Sequence, residues 1–327
     1  MLDKISKIAV LGAGAWGTAL ANAAARPGRE IVLWARDESH VAELAKSHEN
    51  KRRLPGIKLA EAIVPQSNLA TIAEADLVLC VVPAQALREM AMQLRGIIRA
   101  DAPLVVCAKG MERGTNLLLT DVVAQSLPGQ PVAVLSGPSF ADDVARGLPT
   151  AVTIAAHDEA LARALASALG TPTLRLYHST DVLGVEIGGA TKNVLAIACG
   201  MASGRGLGAS AGAALIARGF AELTRFATSR GARPETLMGL SGLGDLVLTC
   251  SSTQSRNFSF GLALGRGEAT PVKLAEGALT APVLLDMAKT SGVDMPIARA
   301  VAEILGGHLT VDEAIGILLT RPQKAEG

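Results

Sequence analysis

The sequence predicts an α/β chain, with a mostly parallel, doubly wound sheet covered by helices and an all-α domain at its C-terminal end. Three observations carry this expectation. Short, continuous, β-branched apolar runs alternate with helix-length segments from the N-terminus to about residue 178, the pattern of a sheet buried on both faces. A glycine-rich turn joins the first apolar run to the first helix. From Asp181 onward the strand pattern stops and only long helical stretches remain.

The opening unit is a short apolar strand, Ile8 to Leu11, followed by Gly12-Ala-Gly-Ala-Trp-Gly17 and then by small, helix-tolerant residues from Thr18 to Ala25. This is the form of a Rossmann-type dinucleotide site. Gly12 lets the chain leave the strand sharply, and Gly14 keeps a side chain out of the place where a pyrophosphate would lie. The helix beyond offers free N–H groups and a positive dipole end. Gly17 comes one position earlier than the third glycine of G-x-G-x-x-G, so a purely structural tight turn is the competing reading. Further strands are expected at 31–35, 77–82, 104–108, 132–135, 151–155 and 173–176, with helices near 39–47, 85–95, 116–127 and 158–169. Such alternation gives right-handed crossovers and a mostly parallel sheet.

In the helical part, a helix over 210–230 starts with Ser210 as its cap and is closed by Gly231. Thr310-Val-Asp-Glu313 reads as a capping box opening a helix that ends before Pro322. The expected domains are 1–190, dinucleotide-binding, and 191–327, all-helical and substrate-binding. A helix over 181–200 joins them beside a cleft where ligands commonly bind.

Composition narrows the function classes. Lys+Arg 31 against Asp+Glu 30 leaves a net charge of +1, so no basic excess points to nucleic acid. Aromatics are only 2%, which leaves the core to Ala, Val, Leu and Ile. No apolar run of about 18 or more residues is read, so no transmembrane helix is expected. The start, Met1 to Lys7, lacks the apolar core of a signal peptide. Cys80, Cys107, Cys199 and Cys250 form no C-x-x-C pair, and the five histidines show no metal-ligand spacing. The sum predicts a soluble, cytoplasmic protein with no metal.

Several residues point to chemistry. At the end of the second strand, where an acidic residue would bond the ribose hydroxyls of NAD, stand Arg36 and then Asp37. An arginine there suits a 2′-phosphate by charge and by its forked donors, so NADP is preferred with NAD tolerated; an ordinary surface arginine is the alternative. The fourth strand runs into Lys109-Gly110 and the fifth into Ser136-Gly-Pro-Ser-Phe-Ala141, both at the sheet edge where ligands bind. Lys109 either meets an anion there or merely marks where the strand reaches water. Lys192 is the only charged residue between Glu186 and Arg205, and a lysine buried in apolar surroundings is costly unless paired or functional. Desolvation would lower its pKa towards values useful for proton exchange, and Asn193 beside it could position it or a substrate hydroxyl. Asp245, the only charge between Glu235 and Arg256, wants a cationic or hydroxyl partner, with Lys192 a candidate. Ser255 can cap the helix that follows, and the free N–H groups with Arg256 would make an anion site or an ordinary cap.

Taken together, Gly12-Ala-Gly-Ala-Trp-Gly17, Ala108-Lys-Gly110, Gly137-Pro-Ser-Phe-Ala141, Lys192-Asn193, Gly242-Leu-Gly-Asp245 and Ser255-Arg-Asn257 stand in the order and at the intervals of one family. The chain resembles the bacterial-type NAD(P)-dependent sn-glycerol-3-phosphate dehydrogenases over essentially its whole length. The resemblance implies a Rossmann domain, a helical substrate domain and reversible reduction of dihydroxyacetone phosphate to sn-glycerol 3-phosphate, which supplies phospholipid synthesis. It implies that Lys192 exchanges the proton at the substrate C2 oxygen and that Lys109 contacts both substrate and cofactor. Gly137, Ser139, Asp245, Ser255, Arg256 and Asn257 would complete the substrate pocket, with Arg256 also reaching the cofactor. Gly12, Gly14, Trp16, Gly17, Arg36, Ala141, Leu274 and Glu276 would line the cofactor. One departure stands out: the residue after Ser-Arg-Asn, often Arg in this family, is Phe258. The expected partner is a phosphorylated triose, with no nucleic acid, no membrane insertion and a homodimer as the possible assembly. The rival readings are a two-domain dehydrogenase of a β-hydroxyacid or ketopantoate, and a nucleotide-binding sensor without turnover.

Overall fold

A computed structural model describes residues 5–25, 29–269 and 275–322. The N-terminal half runs β1 (Lys7–Leu11), α1 (Ala15–Ala25), β2 (Glu30–Trp34), α2 (Glu38–Ser47), β3 (Ile63–Gln66), β4 (Leu77–Cys80), α3 (Leu87–Gln93), β5 (Leu104–Val106), α4 (Leu119–Ser126), β6 (Val132–Ser136), α5 (Ala141–Ala145), β7 (Thr150–Ala155), α6 (Glu159–Leu169) and β8 (Leu174–Ser179). The C-terminal half is helical: α7 (Val182–Gly204), α8 (Gly208–Ser229), α9 (Pro234–Met238), a π-helical turn Leu240–Gly244, α10 (Asp245–Cys250), α11 (Arg256–Arg266), α12 (Glu276–Thr290), α13 (Pro296–Leu305) and α14 (Val311–Leu319).

The strands form one sheet in the order β3-β2-β1-β4-β5-β6-β7-β8. Every neighbouring pair is parallel except β6–β7. The order reverses between β1 and β4, so the turn after β1 opens at the switch point, where the ends of neighbouring strands splay to leave a crevice. Alternation along β1 shows why both faces are apolar. Ile8 and Val10 join the core under α1 and α2, while Ala9 and Leu11 join the core under α3 and α4.

The sequence reading missed β3. Its residues are Ile-Val-Pro-Gln, and a proline breaks the strand pattern; it is tolerated because β3 is the edge strand. Two helix starts also differ. α4 begins at Leu119 rather than near 116, because Asn116 sits at φ 57 and Met111 bridges to Leu118 in the preceding loop. α8 begins at Gly208 after Leu207, with no side-chain cap, so Ser210 is inside the helix rather than its cap. At its other end Gly231 takes φ +98, as a closing glycine should. The Thr310–Glu313 capping box is present in full.

α7 corrects the reading of apolar runs. By length and composition it could cross a bilayer, yet almost all of it is buried inside the helical bundle. It supplies the centre of the second core, among α8, α11, α12 and α13, with Phe226 and Leu284 packed around it. Its glycines set how closely α11 approaches. A Cβ on Gly200 would lie 2.1 Å from Phe258 O, and one on Gly261 would lie 2.1 Å from Ile197 O. The two helices therefore touch through their backbones, which brings the start of α11 alongside α7.

Candidate active site

The turn after β1 is held by sterics and by two side chains from far along the chain. Gly12 takes φ +115, with room for no side chain because a Cβ would sit 2.8 Å from Val81 O. A Cβ on Gly17 would lie 1.8 Å from Gly12 O, so the early third glycine is required by the turn itself. Around Gly14 nothing lies within 4 Å of where a Cβ would be, leaving open space in front of α1. No acidic residue occupies the first turn of α1. These features fit a dinucleotide pyrophosphate. The carbonyl of Ala13 accepts from Asn50 Nδ2 at 3.0 Å and lies 3.4 Å from His40 Nε2, and Asn50 also donates to Thr18 Oγ1 at 2.7 Å. Trp16, half-buried, stands on the first turn of α1.

At the end of β2 the two candidates for the adenosine ribose divide their tasks. Asp37 caps α2, accepting from Ser39 N at 3.0 Å, His40 N at 3.2 Å and Ser39 Oγ at 2.7 Å, and it pairs with Arg52 at 3.1 Å. The Ser39 hydroxyl and the His40 N–H, with Arg52, hold its carboxyl down to about 2. Arg36 is exposed and has no hydrogen-bond or ion-pair partner among the described residues. The carboxylate is thus occupied and the guanidinium is available, an arrangement suited to a 2′-phosphate.

Beyond the ends of β5 and β6, and against α7, the remaining candidates converge. Lys192 is 6% exposed and Asp245 1%. Lys192 Nζ donates to Asp245 Oδ1 at 2.5 Å and to Thr249 Oγ1 at 2.7 Å. Lys109 Nζ donates to Asp245 Oδ2 at 2.6 Å and to Gly137 O at 3.1 Å. One carboxylate therefore bridges two ammonium groups. Gly137 can reach this position because, at φ +147, its missing side chain avoids Val152 Cα, 2.8 Å from where a Cβ would be. Its carbonyl also accepts from Ser139 Oγ at 3.1 Å.

The electrostatics follow from burial and from that bridge. Desolvation lowers Lys192 to about 8; the Asp245 charge opposes the shift and neighbouring Lys109 adds to it. Burial works to raise Asp245, but the two lysines outweigh it and hold the carboxyl below its usual range. An ammonium has three protons, so Lys192 keeps one donor for an oxygen beyond Asp245 and Thr249.

The start of α11 closes the site. Ser255 is buried and caps the helix, accepting from Phe258 N at 3.2 Å. Arg256 is exposed, and its side chain makes no hydrogen bond or ion pair among the described residues. Asn257 donates to Asn193 Oδ1 and accepts from Gly277 N, both at 2.9 Å, tying α11 to α7 and α12. Glu276, at the first position of α12, has its carboxyl raised by burial, with the charges of Arg256, Lys109 and Lys192 working against the shift. Ala141 opens α5 and packs beside the core under α1. Leu274 lies outside the described residues. Phe258 is buried in the helical core, so the side chain that departs from the family pattern serves packing. Thr249, four residues after Asp245, is the partner of Lys192 that the sequence reading missed; its signal is the i, i+4 spacing on one short helix. Among the described residues no group of His, Cys, Asp and Glu could hold a metal ion.

Comparison with known proteins places this arrangement. Residues 7–162 match the family described as NAD-dependent glycerol-3-phosphate dehydrogenase N-terminus, and residues 181–316 match its C-terminus. The glycerol-3-phosphate dehydrogenase [NAD(P)+] of Bradyrhizobium sp. (strain ORS 278) is 61% identical over the whole of both chains. The crystal structure of glycerol-3-phosphate dehydrogenase from Coxiella burnetii superposes with a TM-score of 0.92 at 40% identity, covering 96% of this chain and 99% of that one. The Saccharomyces cerevisiae enzyme gives 0.82 at 26% identity, over 96% and 99% of the two chains. With both parts of the family pattern matched in order along one sheet and one helical bundle, the chain belongs to the NAD-dependent glycerol-3-phosphate dehydrogenase family.

Proposed function

We propose that the protein interconverts dihydroxyacetone phosphate and sn-glycerol 3-phosphate with NADP, accepting NAD as well, and that Lys192 handles the proton. The observation that carries this reading is the buried Lys192–Asp245–Lys109 bridge at the carboxyl edge of the sheet, in a chain of this family. When bound, the nicotinamide supplies or takes up the hydride at C2.

The chain's own residues do the rest. In reduction the Lys192 ammonium donates its free proton to the C2 oxygen and stabilises the developing alkoxide. In oxidation neutral Lys192 accepts that proton. Asp245 and Thr249 fix the direction of the amine, and Lys109 places a second positive charge beside the substrate. The substrate phosphate lies against the α11 start, where Arg256 and N–H groups meet it, while Gly137, Ser139, Ser255 and Asn257 shape the remaining wall. Holding that remote group orients C2 for transfer. Gly12, Gly14, Trp16, Gly17, Arg36, Ala141, Leu274 and Glu276 are assigned to the cofactor, with Lys109 and Arg256 reaching both ligands.

Residues 1–190 are taken as the nucleotide-binding unit and 191–327 as the substrate unit, with α7 running through the join. The same reading includes a cytoplasmic protein without membrane insertion or nucleic-acid partner, working as a homodimer and feeding phospholipid synthesis. A hydroxyacid or ketopantoate substrate would ask for a carboxylate clamp in place of Ser255-Arg-Asn257, and a sensor would have no use for two lysines around one buried carboxylate.

The test is NADPH oxidation with dihydroxyacetone phosphate. Lys192→Ala is expected to lower kcat by about 10³-fold or more, the scale of losing both a general acid and an electrostatic donor. Wild-type kcat in that variant would remove Lys192 from the chemistry.

A further inference from the structure

A second buried carboxylate, outside the Lys192–Asp245–Lys109 bridge, connects the segments that carry the two lysines. Glu186 is on α7, six residues before Lys192, and is 6% exposed. Its Oε1 accepts from Thr120 N at 2.9 Å and its Oε2 from Thr120 Oγ1 at 2.6 Å. Thr120 is in the first turn of α4, a helix whose own N-cap residue, Leu118, offers no side-chain cap. Glu186 therefore does from α7 what a capping residue would do locally, satisfying a donor that the helix leaves free.

The segment leading into α4 leaves β5 through Ala108, Lys109 and Gly110. Glu186, Lys109, Ser136 and Gly189 line one pocket between α7 and the sheet edge. The approach there is close: a Cβ on Gly189 would lie 2.6 Å from Ser136 Oγ and 3.6 Å from Lys109 Cγ. The stem of Lys109 thus runs along α7 within one turn of Glu186. The far end of the same segment is what Glu186 grips. Its middle is held separately, by Gln85 Nε2 donating to Met111 O at 2.8 Å and by the Arg88–Glu112 pair at 2.7 Å.

From these contacts we propose that Glu186, through Thr120, is a positioning residue for the lysine pair: it fixes the Lys109 segment against the helix that bears Lys192. This rests on the functional reading above. Glu186 does not touch Lys192, Asp245 or the substrate wall, so it acts through placement rather than chemistry. Burial pushes its carboxyl up to about 7, and the Asp121 charge on α4 adds to the shift. The neutral acid keeps both contacts by donating to Thr120 Oγ1 while still accepting from the N–H. Glutamine can make the same pair of bonds.

The experiment uses the full-length chain with NADPH and dihydroxyacetone phosphate, comparing wild type, Glu186→Ala, Glu186→Gln, Thr120→Val and the Glu186→Ala/Thr120→Val double variant. Glu186→Ala is expected to lower kcat/KM for dihydroxyacetone phosphate by about 10- to 100-fold, as a small misplacement of a substrate-holding group does, with the NADPH Kd changed less than about threefold. Glu186→Gln is expected to recover activity to within about threefold of wild type, and the double variant to lose no more than Glu186→Ala alone. Should Glu186→Ala not fold, Thr120→Val, which keeps the backbone contact, decides by a loss of kcat/KM at unchanged Tm. An Ala variant as active as wild type, a Gln variant as poor as Ala, or losses that add in the double variant would overturn the proposal. A wild type that binds NADPH but leaves dihydroxyacetone phosphate unreduced overturns the functional reading itself, a result distinct from active wild type with indifferent variants.

Discussion

The two ends of the ligand cleft are built from different materials. The turn after β1 is made of backbone and empty space: glycines that sterics demand, open room at Gly14, and donors from a helix start. The Lys192 centre is made of buried charge, with one carboxylate between two ammonium groups and hardly any solvent around them. The first kind of site is indifferent to pH and intolerant of added atoms. The second depends on who holds a proton.

That contrast can be broken most forcefully at Gly17. Gly17→Ala places a Cβ 1.8 Å from Gly12 O, which no rotamer adjustment relieves because both partners are backbone. The NADPH Kd, read by fluorescence titration, is expected to rise by about 100-fold or more, on the scale of a misplaced binding turn. A variant that binds normally would show that the turn can relax and that the steric account is wrong.

The next effect is on pH. With Lys192 at about 8, reduction needs the ammonium and oxidation needs the amine. The rate of reduction, kcat/KM for dihydroxyacetone phosphate, is therefore expected to fall as pH rises through about 8, by up to about tenfold per unit, while oxidation of glycerol 3-phosphate rises over the same interval. The NADPH Kd should stay nearly flat there. Parallel profiles in the two directions would mean that Lys192 is not the proton carrier.

The smallest effect sharpens the nucleotide end. Arg36→Ala is expected to lower the ratio of kcat/KM for NADPH over NADH by about tenfold, the worth of one charged hydrogen-bonding partner. An unchanged ratio would leave Arg36 as surface charge and move the reading of the 2′-phosphate elsewhere.

Legibility in the sequence followed the same division. Lys192 and Asp245 were visible because each is a lone charge in a long uncharged stretch, and burial of such a residue has few explanations. The glycine turn was visible as a pattern, but its early third glycine became intelligible only with the distance from Gly17 to the Gly12 carbonyl. His40 and Asn50 were not visible as supports of Ala13, since nothing local marks a histidine or asparagine that reaches across 27 or 37 residues. Thr249 was hidden for another reason: a threonine in an apolar helix is ordinary until its neighbour is a buried ammonium. Ser210 misled because a cap-forming residue near a helix start resembles a cap even when a glycine turn has already begun the helix. The fold survived such local errors because strand periodicity and the silence of strand signals after Asp181 are averaged over many residues.

The helix that carries Lys192 is enclosed on nearly all sides by the bundle it organises, and its glycines mesh with α11 at backbone distance. Chemistry and architecture consequently belong to one cooperative unit. A surface loop bearing a catalytic group can open and close while the rest of the protein stays folded; α7 has no such freedom, because releasing it exposes the helical core. Any opening that admits substrate must come from the segments around this helix. The Lys192 amine is the fixed point against which they would move.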